Sequence, residues 1–270
     1  MFKIKTIAMV VSMVVTVANL LVSGPLVAEE LTSWASPAGR QRFERAKQKV
    51  DFFQLAPQFE TQKNKMLCGP TSATIVLNAL RPGEVKSELK SIDAKNADAA
   101  LLHYLPANFE PRFKRYTQDN VFNPAAVKKK SLAQVYGAPI LGAENGKPDY
   151  GLQLRQLHEL FLANGAHSLL RIADESLSDA QIKQEIIDNL DNPSDYVVAN
   201  FLLQTSSVAK GIGHISPVAA YDKKSDSFLI MDVHPTHDGW YWIPSSQLIT
   251  AMRTKDTIEN RGYLSVHEMQ

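Results

Sequence analysis

Three residues of this chain have the types and spacing for acyl transfer through a thiol: Cys68, His214 and Asp232. In such chemistry a thiolate attacks an acyl carbon, an imidazole takes the thiol proton, and a carboxylate fixes the imidazole tautomer and stabilises the imidazolium. Cys68 is the only cysteine in 270 residues, so no internal disulfide can involve it. It stands in Gln62-Lys-Asn-Lys-Met-Leu-Cys68-Gly69-Pro, where a loop runs into an apolar helical stretch ending at Leu80. Unpaired amides and partial positive charge at a helix N-terminus favour a thiolate there. A lone cysteine is otherwise a small buried hydrophobe, and the surrounding residues decide between the two. Gln62 supplies an amide that suits an oxyanion, beside the Cys68 backbone N–H.

His214 sits in Gly211-Ile-Gly213-His214-Ile-Ser-Pro, at the start of a predicted strand, where flanking glycines permit close approach to the imidazole. Asp232 ends the next predicted strand, in Phe228-Leu-Ile-Met-Asp232-Val. A hairpin turn centred near Lys224-Ser225 sets the two roughly opposite one another, and their even separation is compatible with one face of the ladder. Each residue also has a purely structural reading: Gln62 as a loop polar, His214 as a satisfied strand-end histidine, Asp232 as a turn former.

The elements that position these residues follow from periodicity. Ser36 to Gln54 has the spacing of one amphipathic helix, with Phe43, Ala46, Val50 and Phe53 on its apolar stripe. Thr71 to Leu80 is apolar on all sides and stopped by Pro82-Gly83, so Cys68 begins a buried helix. Prolines 106, 111, 124 and 139 break Lys86 to Lys147, leaving a short helix at Ser131 to Val135. A helix over Leu152 to Phe161, closed by Asn164-Gly165, leads to a strand at Ser168 to Ile172 and a helix at Ser178 to Asn189. Strands at Tyr196–Leu203, Ile215–Tyr221, Ser227–Val233 and Gly262–Val266, with a helix at Ser245–Arg253, complete the chain. Helices preceding a mostly antiparallel sheet give an α+β class.

Composition narrows the function classes. At 44% hydrophobic and 21% charged residues the chain carries material for a packed core. Its net charge of +1 offers neither a nucleic-acid footprint nor a polybasic membrane patch. Residues 1–28 combine Lys3 and Lys5, an apolar run from Ile7 to Val22 and small residues up to Leu26-Val27-Ala28. This reads as a secretory signal cleaved after Ala28, leaving a catalytic domain over 29–270 in the periplasm or secreted, without stable membrane association. The run is short for a membrane anchor. Cleavage removes two lysines, leaving about −1. In an oxidising compartment a single cysteine contributes no cross-link, which fits retention for reactivity. His234 and His237, even with Asp232 or Asp238, lack a clear third ligand, and no fixed metal site is expected.

Several ordered blocks resemble the phytochelatin synthase family. They are Gln62 and Cys68-Gly69 with the helix ending Val76-Leu77-Asn78-Ala79-Leu80, Asn200-Phe201, Gly213-His214-Ile215-Ser216-Pro217, Leu229-Ile230-Met231-Asp232-Val233 and Arg261-Gly262-Tyr263. They keep the family's order from Phe52 to Val266, with a longer interval between Cys68 and His214. The resemblance implies a papain-like cysteine protease fold, a helical N-terminal lobe beside a mostly antiparallel C-terminal sheet. It implies glutathione as the substrate, with release of glycine from its Cys-Gly bond and a γ-Glu-Cys acyl-enzyme on Cys68. By the same analogy Cys68, His214 and Asp232 are catalytic, Gln62 is the oxyanion donor, and Gly69, Asn200, Gly213 and Arg261 bind substrate. A guanidinium such as that of Arg261 suits a glutathione carboxylate; its structural alternative is a surface charge before an edge strand. No cofactor is tightly bound; heavy-metal ions such as cadmium or zinc enter as glutathione thiolates or act as activators. A homodimer is compatible with the sequence.

The chain departs from the plant pattern in two places. His234-Pro-Thr-His237-Asp-Gly-Trp-Tyr-Trp242 replaces the basic, tyrosine-containing segment expected after Asp232-Val233 near the second substrate, and no cysteine-rich C-terminal extension is present. Hydrolysis of glutathione is therefore expected to outweigh chain extension. Two other readings share these residues: a papain-like endopeptidase of the leader-processing type, and a non-catalytic glutathione or peptide binder.

Overall fold

The computed structural model describes residues 31–82, 104, 106, 114–139, 149–205, 208–235 and 239–269; the signal segment, His237 and Asp238 lie outside them. Helix α1 (Pro37–Arg45) starts where Ser36 Oγ accepts from Gly39 N, with proline at the first helical position. The single helix expected over Ser36–Gln54 is two helices, α1 and α2 (Val50–Leu55). Between them the helix is interrupted where Gln48 O accepts from Tyr221 N at 2.8 Å and so joins the sheet. Helix α3 (Cys68–Leu80) is buried from Cys68 to Ala79, matching its all-round apolar sequence. Short helices α4 (Pro124–Val127) and α5 (Leu132–Val135) are capped by Asn123 and Ser131. Helix α6 spans Leu154–Ala163, and α7 (Asp179–Asn189) opens with a capping box of Ser178 and Gln181. Helix α8 covers Ser245–Met252.

The strands are β1 (Thr32–Ser33), β2 (Ala166–Ile172), β3 (Asp195–Thr205), β4 (Val208–Asp222), β5 (Ser227–Ile230), β6 (Tyr241–Pro244) and β7 (Gly262–Glu268). They form one sheet in the order β1-β6-β5-β4-β3-β7-β2, antiparallel at every pairing. Alternation divides its side chains between two cores. Val198, Ile215 and Leu264 pack with Ile75 and Leu77 of α3 and Leu157 and Phe161 of α6. Val197, Phe201 and Tyr263 pack on the other face with Ile182 and Ile186 of α7 and Leu248 of α8. The class is α+β as expected, but helices cover both faces of the sheet and two early strands, β1 and β2, form its edges. Among the described residues, no helix is long and apolar enough to cross a membrane.

One irregularity governs the site. The β4–β5 hairpin pairs Asp222 with Ser227, Tyr221 with Phe228 and Ala220 with Leu229, and then Val218 with Ile230. Ala219 is thus the extra residue of a bulge. In the unbulged register Asp232 stands level with Pro217, on the face away from His214. One residue of slip reverses that face, and continuing the bulged register sets Asp232 level with Ser216.

Candidate active site

The Gln62–Cys68 stretch, the first turn of α3, the middle of β4 and the segment after β5 meet at one end of the sheet. Cys68 is the first residue of α3 and 8% exposed. Two contacts hold this turn. Ser72 Oγ donates to Ile215 O at 3.1 Å, tying α3 to the residue beside His214. Gly69 is pressed between Leu152 and Ile215, where a Cβ would lie 3.2 Å from Leu152 Cβ and 3.4 Å from Ile215 Cδ1. Gly69 therefore serves close packing of the nucleophile helix, a role the residue type alone does not reveal.

His214 lies inside β4, paired with Phe201 of β3, and not at a strand start as the sequence suggests. Its ring is 3% exposed and meets the Phe201 ring edge-on, at 5.8 Å between centroids. Nε2 donates to Asp232 Oδ1 at 2.7 Å, since a carboxylate can only accept. The other ring nitrogen is then the one that serves Cys68, whose thiol lies within hydrogen-bonding reach of the ring. Burial on its own lowers an imidazole's pKa. Here the Asp232 charge, its hydrogen bond and the contacts with Cys68 outweigh burial and push His214 up to about 10.

Asp232 is buried two residues beyond β5, and its Oδ1 also accepts from His234 N at 2.8 Å. Behind it stands Tyr241 of β6, whose pKa is held well above the tyrosine range by burial first and then by Asp232. The Tyr241 hydroxyl is buried without a well-aligned hydrogen bond, so its relation to Asp232 is proximity more than bonding.

Gln62 is drawn into the same place, because its backbone N–H donates to Val233 O at 2.8 Å. Its side-chain Nε2 donates to Asn64 O at 2.8 Å, leaving one further amide hydrogen. Gln118 brackets the loop, accepting from Lys63 N at 3.0 Å and donating to Thr61 O at 2.9 Å.

Asn200, Gly213 and Arg261 also come together, one residue from His214, through an acid the sequence reading missed. Asn200 Nδ2 and Arg261 Nη2 take opposite oxygens of Asp256, at 3.2 and 3.3 Å. Arg261 Nη1 donates to Lys255 O at 2.6 Å and to Thr254 Oγ1 at 3.0 Å, while its buried Nε has no partner among the described residues. The guanidinium is therefore a buried brace for residues 254–256, not a surface charge. A Cβ at Gly213 would lie 3.1 Å from Arg261 Nη2, so this glycine makes room for the arginine. Asp256 had no motif to mark it.

The sequence matches the phytochelatin synthase family over residues 23–93 and 102–263. The chain belongs to the phytochelatin synthase family. Across 251 residues, 88% of this chain, it is 26% identical to glutathione gamma-glutamylcysteinyltransferase 3 of Lotus japonicus. It spans 42% of that relative's length. Among solved structures it is similar to xylellain, a cysteine protease from Xylella fastidiosa, at 13% identity and a TM-score of 0.32, over 86% of this chain and 90% of that one. A likeness of that size adds nothing to the reading of the site. The family match takes in Gln62, Cys68, Asn200, His214, Asp232 and Arg261. Among the described residues of this phytochelatin synthase family member, no group of three or more His, Cys, Asp or Glu side chains is arranged to hold a metal ion.

Proposed function

We propose that this protein is a glutathione γ-glutamylcysteinyltransferase that works by acyl transfer through Cys68. The observation that carries the reading is the buried His214 ring, in contact with the Cys68 thiol and bonded through Nε2 to Asp232, in a chain of this family. In the proposed reaction the imidazole takes the thiol proton and the sulfur attacks the carbonyl carbon of the Cys-Gly bond. The tetrahedral oxyanion draws on the Cys68 N–H and the remaining amide hydrogen of Gln62. Collapse breaks the C–N bond, His214 returns its proton to the departing amine, and glycine leaves. A γ-Glu-Cys thioester remains on Cys68.

Water or the amine of a second glutathione then takes the acyl group. We propose that water dominates, because the segment after Val233 carries His234, Pro235 and the aromatic Trp240 where the family has basic residues for a second substrate. Thiophilic metals enter as glutathione thiolates, and the Asn200–Asp256–Arg261 brace shapes the wall beside Gly213. Residues 1–28 direct the chain to the periplasm or outside the cell.

Incubation with glutathione, followed by intact-mass measurement, tests the reading. The expected result is an adduct of about 232 Da on the protein, absent in Cys68→Ser, with glycine and γ-Glu-Cys as products. Binding of glutathione without glycine release, unchanged in Cys68→Ser, overturns it. Oligomeric products dominating from the start, with cadmium present, overturn the preference for water.

A further inference from the structure

Ser216 has no part in the chemistry described so far, yet it touches the ring that performs it. It is fully buried, and its Oγ lies 3.0 Å from His214 Nε2, the same nitrogen that Asp232 Oδ1 approaches to 2.7 Å. One N–H thus faces two acceptors, a carboxylate and a hydroxyl. The same hydroxyl accepts from Val233 N at 3.4 Å, while Asp232 Oδ1 accepts from His234 N. Serine and aspartate therefore bind consecutive amides of one segment and converge on one ring atom.

Register explains why a second acceptor is present. Continuing the register of the Val218–Ile230 pair beyond β5 sets Asp232 level with Ser216, with His214 its diagonal neighbour two residues along the strand. Diagonal partners stand farther apart than direct ones, so the aspartate reaches the ring obliquely. Two acceptors on either side of an N–H fix its direction where one leaves it free to swing. We propose that Ser216 is a positioning residue, holding the Nε2 side of the His214 ring so that only the other nitrogen exchanges protons with Cys68 and the departing amine.

The inference rests on reading Cys68, His214 and Asp232 as acyl-transfer machinery. The attraction between ring and aspartate weakens once the imidazolium has given up its charge. Ser216, a neutral acceptor, keeps its hold in both protonation states. Period-two spacing places Ser216 on the His214 face of β4, a signal already present in His214-Ile-Ser216.

The test follows alkylation of Cys68 by iodoacetamide in the full chain as pH is raised, a measurement that needs no substrate and has one cysteine to report. The titratable groups facing the ring are Cys68 from α3 and Asp232 after β5, with Tyr241 of β6 behind the aspartate. Removing an acceptor from the imidazolium disfavours the charged form. In Ser216→Ala the upper step of the profile, where the imidazolium loses its proton, is expected to move down by about half to one pH unit. Ser216→Thr, which keeps the hydroxyl, is expected to restore it. In parallel, glycine release in Ser216→Ala is expected to lose kcat by about 3–10-fold with KM within about twofold.

A Ser216→Ala profile that superimposes on the parent, with only thermal stability reduced, overturns the proposal, because that is what losing the Val233 contact alone produces. A profile displaced equally in Ser216→Ala and Ser216→Thr overturns it too. Failure of the parent protein to release glycine overturns the proposed activity and leaves the alkylation result to decide Ser216.

Discussion

Asp232 and Asp51 are each 1% exposed, and their surroundings could hardly differ more. Asp232 accepts from His214 Nε2 and from His234 N. Asp51, on α2, has both carboxyl oxygens buried and, among the described residues, no hydrogen-bond donor for either. Burial first, and then the charge of Asp195, pushes Asp51 up to about 9, so it is held as the neutral acid near neutral pH. Burial penalises charge in both places. Only where an imidazole lies in contact is a carboxylate charge put to use, and there it raises the imidazole in turn. One region is built for proton exchange. The other couples fold stability to pH.

The largest expected effect comes from removing the charge that distinguishes them. Asp232→Asn keeps the shape of the side chain but leaves burial at His214 opposed by the Cys68 contacts alone among the charges that raise it. The imidazolium is then disfavoured, so the upper step of the Cys68 alkylation profile moves down. Glycine release should fall by about 10²–10⁴-fold. Initial rates across pH, set beside intact-mass counts of alkylated Cys68, measure both consequences. Activity within tenfold of the parent would mean the charge matters no more at Asp232 than at Asp51.

The next effect is on stability. For an acid raised from 3.8 to about 9, the folded chain holds a proton that the unfolded chain has released. The stability Asp51 contributes is therefore full below about pH 4 and is lost as pH rises toward 9. His214, also raised, adds a loss of the same sign between its unfolded value near 6.5 and about 10. Asp51→Asn removes the first contribution alone. Melting temperatures should be similar for parent and variant at about pH 4 and below. At pH 9 the variant should melt about 5 °C or more higher, on the order of a few kcal/mol. Equal curves at pH 9 would show that Asp51 finds partners as Asp232 does.

Much of the first region could be read in the sequence, and the second could not. Cys68 at a helix start, His214 among glycines and Asp232 after an apolar run are marked by residue type and local pattern. The shared face of His214 and Asp232 was inferred from an even separation, yet the hairpin as first paired sets them on opposite faces. The Ala219 bulge restores the relation, and nothing in Val218-Ala-Ala announces which residue is extra. Strand β6 (Tyr241–Pro244), which begins within His234–Trp242 and runs past it, is not legible because a four-residue strand after histidines and a proline shows too little alternation. The helix over Ser36–Gln54 was broken by a long-range bond from Gln48 to Tyr221, which periodicity cannot register. No pattern in the sequence marks Asp51, which is buried on α2, a helix separate from α1. Gln118 and Asp256 act through partners distant in sequence, so composition around them is silent.

The smallest expected effect separates the two causes acting on Asp51. Burial is the larger and the Asp195 charge the lesser, and Asp195 is itself raised by burial, opposed by its bond with Asn192 and by His267. Asp195→Asn leaves the burial of Asp51 intact and removes only the neighbouring charge. The pH at which the melting temperature declines should therefore move down by less than about one unit, with glycine release unchanged, since Asp195 lies outside the group around His214. In an Asp51→Asn background the same substitution should produce no such movement, because the group it acts on has gone. That non-additivity is the signature of a direct coupling. If Asp195→Asn shifts the curve as much as Asp51→Asn does, then mutual repulsion, not desolvation, sets the pH limit of this region, and the contrast with Asp232 is one of neighbouring charge alone.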